Sequence, residues 1–280
     1  MNQDRLKVFA PAKLNLFLRI MGRKKDGYHI IRSGITFLNL YDEIEILQSN
    51  RTVISYEGCF KPISERYSDC IIKKTLDFLK LDKNINLKIN IKKNIPVQSG
   101  LGSASSNAAA FVLGLETMGL IAKKEIQNYI SLGADVPSCL FKNNCLVLGM
   151  GEKIIPQKFP KYYFLLVKPQ IDNSTKEMFK KLGFERDSYI ENFTKDLKIN
   201  DNDFGNDFEK IVYKENKEIR DIVSFLDQSN NIIFSRMTGS GSCCYGVFKN
   251  QKEANCAQNL FKKNFPKLWS CVCENNMNSQ

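Results

Sequence analysis

The chain has 280 residues, 43% hydrophobic and 25% charged, with 41 Lys and Arg against 30 Asp and Glu for a formal net charge of +11. That length suits two domains or one large one, and the apolar fraction excludes a disordered tail or a fibrous repeat. No run approaches the roughly 18–20 apolar residues of a membrane helix. The opening MNQDRLKVFAPAKLNLFL becomes strand-like too early for an export signal, so a cytoplasmic location is expected.

Residues 6–21 alternate, with Leu14, Leu16, Leu18 and Ile20 on one strand face and Lys13, Asn15, Phe17 and Arg19 on the other. Asp26-Gly27 signals a turn, and 30–47 returns as a second strand ending in EIEIL. A helix is predicted over 68–81 and an alternating strand over 84–97, stopped by Pro96. An Ala-rich helix follows from Ser105 to Met118, then a second over about 122–132 and a short third begun by GADVPSCL (133–140). Strands are predicted at 145–150 and 162–170, helices near 174–182 and 206–227, and a loop feeding a strand at 235–248. A helix near 252–263 and a strand near 268–273 complete an α+β chain, expected to divide into domains 1–154 and 155–280.

Nine cysteines, odd in number and without a C-x-x-C pair, do not form a disulfide framework, and one histidine gives little basis for a zinc site. The lysines fall in scattered pairs such as Lys92-Lys93 with acidic residues between them, so the positive charge is background that favours anionic substrates.

Residues 96–107, PVQSGLGSASSN, follow a strand and open a helix. Small residues admit an anion close to the backbone, and the first helical N–H groups lack partners within the helix. With the positive end of the helix dipole they make a phosphate cradle. A Walker A loop would end in Gly-Lys-Ser/Thr, which is absent, and a dinucleotide fingerprint would need glycine where Ser105 stands. Lys13 on its strand and Asp135 ahead of Val136-Pro137 read in isolation as a solvated strand residue and a helix N-cap. Phosphoryl transfer gives a reason to join them: a carboxylate can take the acceptor hydroxyl's proton while an ammonium neutralises developing charge.

As an ordered set, PAKLNLFL (11–18), PVQSGLGSASSNAAA (96–110) and MTGSGSCCYGVF (237–248) resemble the three signature motifs of the GHMP kinase superfamily. DGYH (26–29), GADVPSCLF (133–141), GMGE (149–152) and NDFE (206–209) resemble the branch acting on 4-diphosphocytidyl-2-C-methyl-D-erythritol in the non-mevalonate isoprenoid pathway. The resemblance runs over about residues 6–248. It implies a ribosomal-S5-domain-2-like N-terminal ATP-binding domain and a ferredoxin-like C-terminal domain. It also implies ATP with Mg2+, and transfer to the substrate's tertiary 2-hydroxyl.

Carried over by position, the resemblance makes Asp135 the general base and Lys13 its partner at the hydroxyl. Pro96, Gly100, Leu101, Gly102, Ser103, Ala104, Ser105, Ser106 and Asn107 would form the ATP loop and helix start. Asn15, Tyr28, His29, Thr175, Phe179, Gly239, Ser240 and Gly241 would meet the cytidine-diphosphate substrate. No metal ligand is assigned. The loop departs from the branch in Ser103-Ala104 and Gln98, and Thr238 replaces the usual serine. The partners expected are therefore two small molecules, with neither nucleic acid nor membrane, for a monomer or homodimer. Alternatives are another GHMP kinase (mevalonate or homoserine kinase) and a basic RNA-binding protein on the S5-like fold.

Overall fold

The computed structural model describes residues 5–62, 70–81, 85–173, 175–182 and 204–275. The compact units interleave along the sequence: one holds 1–13, 40–97 and 102–142, the other 14–39, 98–101 and 143–280. Two long strands, β1 (Arg5–Arg23) and β2 (His29–Gln48), pair with one another and supply segments to both units.

In the first unit, β3 (Val53–Glu57) runs parallel to β4 (Leu87–Lys92), which pairs antiparallel with the end of β2 from Glu43↔Lys92 to Gln48↔Leu87. Alternation decides which residues face inward: Ile44 and Ile46 from β2, and Leu87, Ile89 and Ile91 from β4, are fully buried. Helices α1 (Ile71–Leu79) and α2 (Ser103–Thr117) cover them, α2 through Ala110, Phe111 and Leu115. Each large apolar side chain so buried contributes about 1.5–3 kcal/mol. Helix α2 is apolar nearly all round, as a helix enclosed on most sides must be.

The expected helix at 122–132 is instead a 3-10 segment, Ile126–Leu132. Only Tyr129 within it is buried, too little to anchor a longer amphipathic helix. It leads through Gly133 to α3 (Val136–Phe141), with Asp135 at the N-cap position and Pro137 in the first turn.

In the second unit, β5 (Cys145–Gly149) pairs with the start of β2 and with β6 (Lys153–Pro156). A separate antiparallel sheet has the order β10-β7-β9-β8, from β7 (Tyr163–Lys168), β8 (Phe234–Met237), β9 (Cys244–Phe248) and β10 (Trp269–Glu274). Among the described residues, four helices belong to this unit: α4 (Thr175–Lys181), α5 (Glu209–Glu215), α6 (Lys217–Asp227) and α7 (Gln251–Asn264). Ile219, Ile222 and Leu226 from α6, and Ala254, Ala257 and Phe261 from α7, join Leu165, Val167 and Phe248 in one core. The single helix expected over 206–227 is divided at Asn216, whose extended backbone starts α6 afresh. The mixed sheets and helices have the two-part α+β organisation expected of the GHMP fold.

Candidate active site

Lys13 and Asp135, distant in sequence, meet in the first unit, with Lys13 Nζ 3.1 Å from Asp135 Oδ2. The lysine side chain is 5% exposed and the aspartate 36%, so the carboxylate remains open to a ligand while the ammonium is walled in. The face of β1 opposite its leucines is therefore buried here, where the alternation alone suggests solvent. The wall is α2: Gly102, at its N-cap, has φ +66°, and a β-carbon there would lie 2.8 Å from Lys13 Cγ. The Ser106 hydroxyl donates to the Pro11 carbonyl at 2.7 Å, holding the first turn of α2 to β1 just before Lys13.

Helix α2 begins at Ser103 with no side-chain cap hydrogen bond at Gly102 and no acidic residue of its own in the first turn, so the helix supplies no anion at that end from within itself. Ala104 is exposed, Ser105 half-buried, and Pro96, Leu101, Ser103, Ser106 and Asn107 are buried. The hydroxyl of Ser103 and the amide of Asn107 are already engaged within the protein. Asp42 accepts from Ser103 Oγ at 2.8 Å and Asn107 Nδ2 at 2.9 Å, and from the backbone N–H groups of Asn94 and Ile95 at 2.7 and 2.9 Å. Lys93 donates to Asp42, to Ser103 and, at 2.8 Å, to Asn107 Oδ1. Burial pulls the Lys93 ammonium below its ordinary value, opposed by the Asp42 carboxylate beside it. Sequence reasoning passed over this pair. The available signal was strand phase: Lys93 continues the inward series Ile89, Ile91, and Asp42 the series Ile44, Ile46, so opposite charges occupy core positions in adjacent strands.

In the second unit, residues 238–242 gather most of the expected substrate contacts. Asn15 donates from its backbone N–H to Thr238 Oγ1 at 3.1 Å, and its Nδ2 donates to Ser33 Oγ at 2.8 Å. Gly239 has φ +57°, and a β-carbon there would lie 3.2 Å from the Gly100 carbonyl oxygen and 3.3 Å from Asn15 Oδ1. Thr175 and Ser240 share a hydroxyl hydrogen bond of 2.8 Å, and Asn173 Nδ2 donates to the Ser240 carbonyl at 3.2 Å. Gly241, also at positive φ, leaves room for Met237 Sδ and Asn173.

The DGYH turn lies in this unit too. Asp26 accepts from the Tyr28 backbone N–H at 3.1 Å, and Tyr28 is 64% exposed. His29 stacks on Phe179 with ring centroids 4.6 Å apart and planes at 29°, and Phe179 packs edge-on against Phe208. Burial, with the Arg23 guanidinium nearby, holds the imidazole below its ordinary 6.5. Among the described residues no group of three or more His, Cys, Asp or Glu gathers to hold a metal, and no helix is long and apolar enough to cross a membrane.

The family description "GHMP kinases N terminal domain" matches residues 70–143, and "GHMP kinases C terminal" matches 189–267. A 4-diphosphocytidyl-2-C-methyl-D-erythritol kinase of Francisella tularensis subsp. holarctica is 34% identical over 244 residues, covering 85% of this chain and 86% of the relative. The chain belongs to the GHMP kinase family. A kinase of the same name from Wolbachia sp. subsp. Brugia malayi is 33% identical over 94% of this chain and 96% of its own.

Solved structures carry the fold of this GHMP kinase. A 4-(cytidine 5'-diphospho)-2C-methyl-D-erythritol kinase crystal structure superposes with TM-score 0.76 at 20% identity, covering 97% of this chain and 100% of that one. Homoserine kinase from Cytophaga hutchinsonii superposes with TM-score 0.62 at 17% identity, covering 100% and 97%. The chain is a phosphotransferase, and GHMP kinases take their phosphoryl group from ATP.

Proposed function

We propose that this kinase transfers the γ-phosphoryl group of ATP to the 2-hydroxyl of 4-diphosphocytidyl-2-C-methyl-D-erythritol, in isoprenoid biosynthesis in a bacterial cytoplasm. The observation that carries the chemistry is the contact of Lys13 with Asp135 beside Gly102, at the uncapped start of α2. The substrate follows from the relatives of that name at 33–34% identity over most of the chain, while the likeness to homoserine kinase extends to fold alone.

Asp135, the open member of the pair, takes the proton of the acceptor hydroxyl as the oxygen attacks phosphorus. Lys13 holds that carboxylate in place and offsets the negative charge gathering between acceptor and phosphoryl oxygens, its own ammonium being largely shielded from water. The backbone of 100–106 receives the phosphates. An uncapped helix start with no acidic residue in its first turn suits an anion, and Ala104 and Ser105 leave the approach open. Mg2+ bound with ATP would neutralise charge on the phosphates held at this loop.

Ser103, with its hydroxyl bound to Asp42, supports the loop from below and serves the phosphates through its backbone. Residues 1–154 take the ATP-binding part and 155–280 the remainder. The 239–241 segment with Asn15 and Thr175 serves the diphosphate-bearing substrate. Phe179, with Tyr28 and His29, provides flat faces for the cytosine ring.

The test is ADP release with ATP and Mg2+, comparing the cytidine-diphosphate substrate with mevalonate and homoserine. Selective turnover of the first is the expected result. Preference for either of the others would keep the Lys13–Asp135 chemistry and remove the cytosine assignment.

A further inference from the structure

The motif NDFE (206–209) has no assigned contact of its own with ATP or substrate, yet it holds residues that do: Phe208 packs edge-on against Phe179, and Asn206 bonds the backbone around Gly239. Asn206, 6% exposed, donates from Nδ2 to the carbonyls of both Met237 and Gly239 at 2.8 Å. Its Oδ1 accepts from the Phe208 backbone N–H at 3.1 Å. This arrangement leaves one orientation for the amide: the atom between two carbonyl oxygens must be nitrogen, and the atom facing an N–H must be oxygen. Both amide protons are therefore spent on the backbone on either side of Thr238.

The neighbouring residues fix Asn206 itself. Leu18 donates its backbone N–H to the Gly205 carbonyl at 2.8 Å, and the Asp207 N–H donates to the Leu18 carbonyl at 3.0 Å. Asp207 Oδ2 accepts from the Ile20 backbone N–H at 2.7 Å, and its other oxygen pairs with Arg19 at 2.9 Å. From the far side, Glu209 accepts from the Met237 backbone N–H at 2.8 Å and from Tyr213 at 2.7 Å, with burial raising its carboxyl above the ordinary value. The motif is thus bonded to β1 through Asp207 and to the loop through Asn206 and Glu209. Gly239, the residue Asn206 grips, is the one whose β-carbon would press on Gly100 and Asn15.

We infer that Asn206 is a positioning residue for phosphoryl transfer, setting the backbone of 237–239 so that Gly239–Gly241 keeps its place against Asn15 and Gly100. It acts through that loop and does not contact substrate. The inference rests on the reading of 239–241 as substrate-binding.

The experiment compares three variants with the wild-type kinase in steady-state kinetics, with thermal unfolding measured on each. Asn206→Asp is nearly isosteric but sets an oxygen against two carbonyls, and Asn206→Ser removes both bonds should the first variant fail to fold. Gly239→Ala perturbs the loop directly. The expected result is a loss of about 10²-fold in kcat per folded molecule for the Asn206 variants, with both KM values within a few-fold, alongside a lowered melting temperature from the stranded carbonyls. Gly239→Ala should lose kcat similarly. Wild-type kcat per folded molecule in the Asn206 variants, with only a lowered melting temperature, would overturn the inference and leave Asn206 a scaffold residue. So would a rise in KM with kcat intact. If Gly239→Ala itself turns over normally, the reading of the loop fails, and the role of Asn206 fails with it.

Discussion

Gly102 makes the room that Lys13 occupies: a β-carbon at 102 would stand 2.8 Å from Lys13 Cγ and 3.0 Å from its Cε. The glycine therefore has two reasons to be glycine, since its φ of +66° is also one that L-residues adopt at a cost of about 1–2 kcal/mol. Gly102→Ala should lower the melting temperature by a few degrees. By shifting Lys13 from Asp135 it should also reduce kcat by about 10²-fold. A variant less stable but fully active would show that residue 102 does not set the lysine's position.

Asp135→Asn retains shape and the start of α3 while removing the proton acceptor. Turnover should fall by about 10²–10⁴-fold, the usual contribution of a general base, with ATP affinity within a few-fold of wild type. Single-turnover phosphate transfer and ATP titration together measure this. Near-normal turnover would dismiss Asp135 as base.

The Lys93–Asp42 pair lies under the start of α2 with almost no access to water. Removing one member strands the other, so Lys93→Met should cost about 3–5 kcal/mol in urea unfolding. Adding Asp42→Asn should return part of that loss, because the remaining carbonyl oxygen can still accept from the Asn94 and Ile95 N–H groups. A single variant within 1 kcal/mol of wild type (about the value of an exposed pair) would argue against an isolated buried charge.

Phe179 carries its flat face toward His29. Phe179→Ala should raise KM for the cytidine substrate by about 10-fold, the scale of one base–aromatic stack, while leaving KM for ATP nearly unchanged. Equal rises in both would reduce Phe179 to a packing residue on Phe208.

His29 titrates below 6.5 in the folded chain, so the unfolded chain binds the proton more readily. Its contribution to stability is complete above 6.5 and is lost as pH falls below that value toward the depressed folded one. The stability of wild type relative to His29→Asn, followed by thermal unfolding from about pH 7.5 down to about pH 5.5, should therefore decline. A constant or rising difference would contradict the burial of this imidazole.

Period-two alternation made β1, β2 and β4 legible in the residues, because a strand's two faces are written in its own parity. The Ala-rich helix after a glycine-rich loop was equally local, as were the ordered motifs that carry the family resemblance. The division of 206–227 was not, since a break at Asn216 depends on what α5 and α6 each pack against. Nor could the sequence state that Lys13 and Asp135 touch, that Lys93 and Asp42 neutralise one another, or that Asn206 reaches the carbonyls flanking Thr238. Those contacts join segments far apart along the chain, and composition and periodicity act only over a few residues. Side chains that look solvated strand by strand become buried, paired and oriented only once a helix is packed across them.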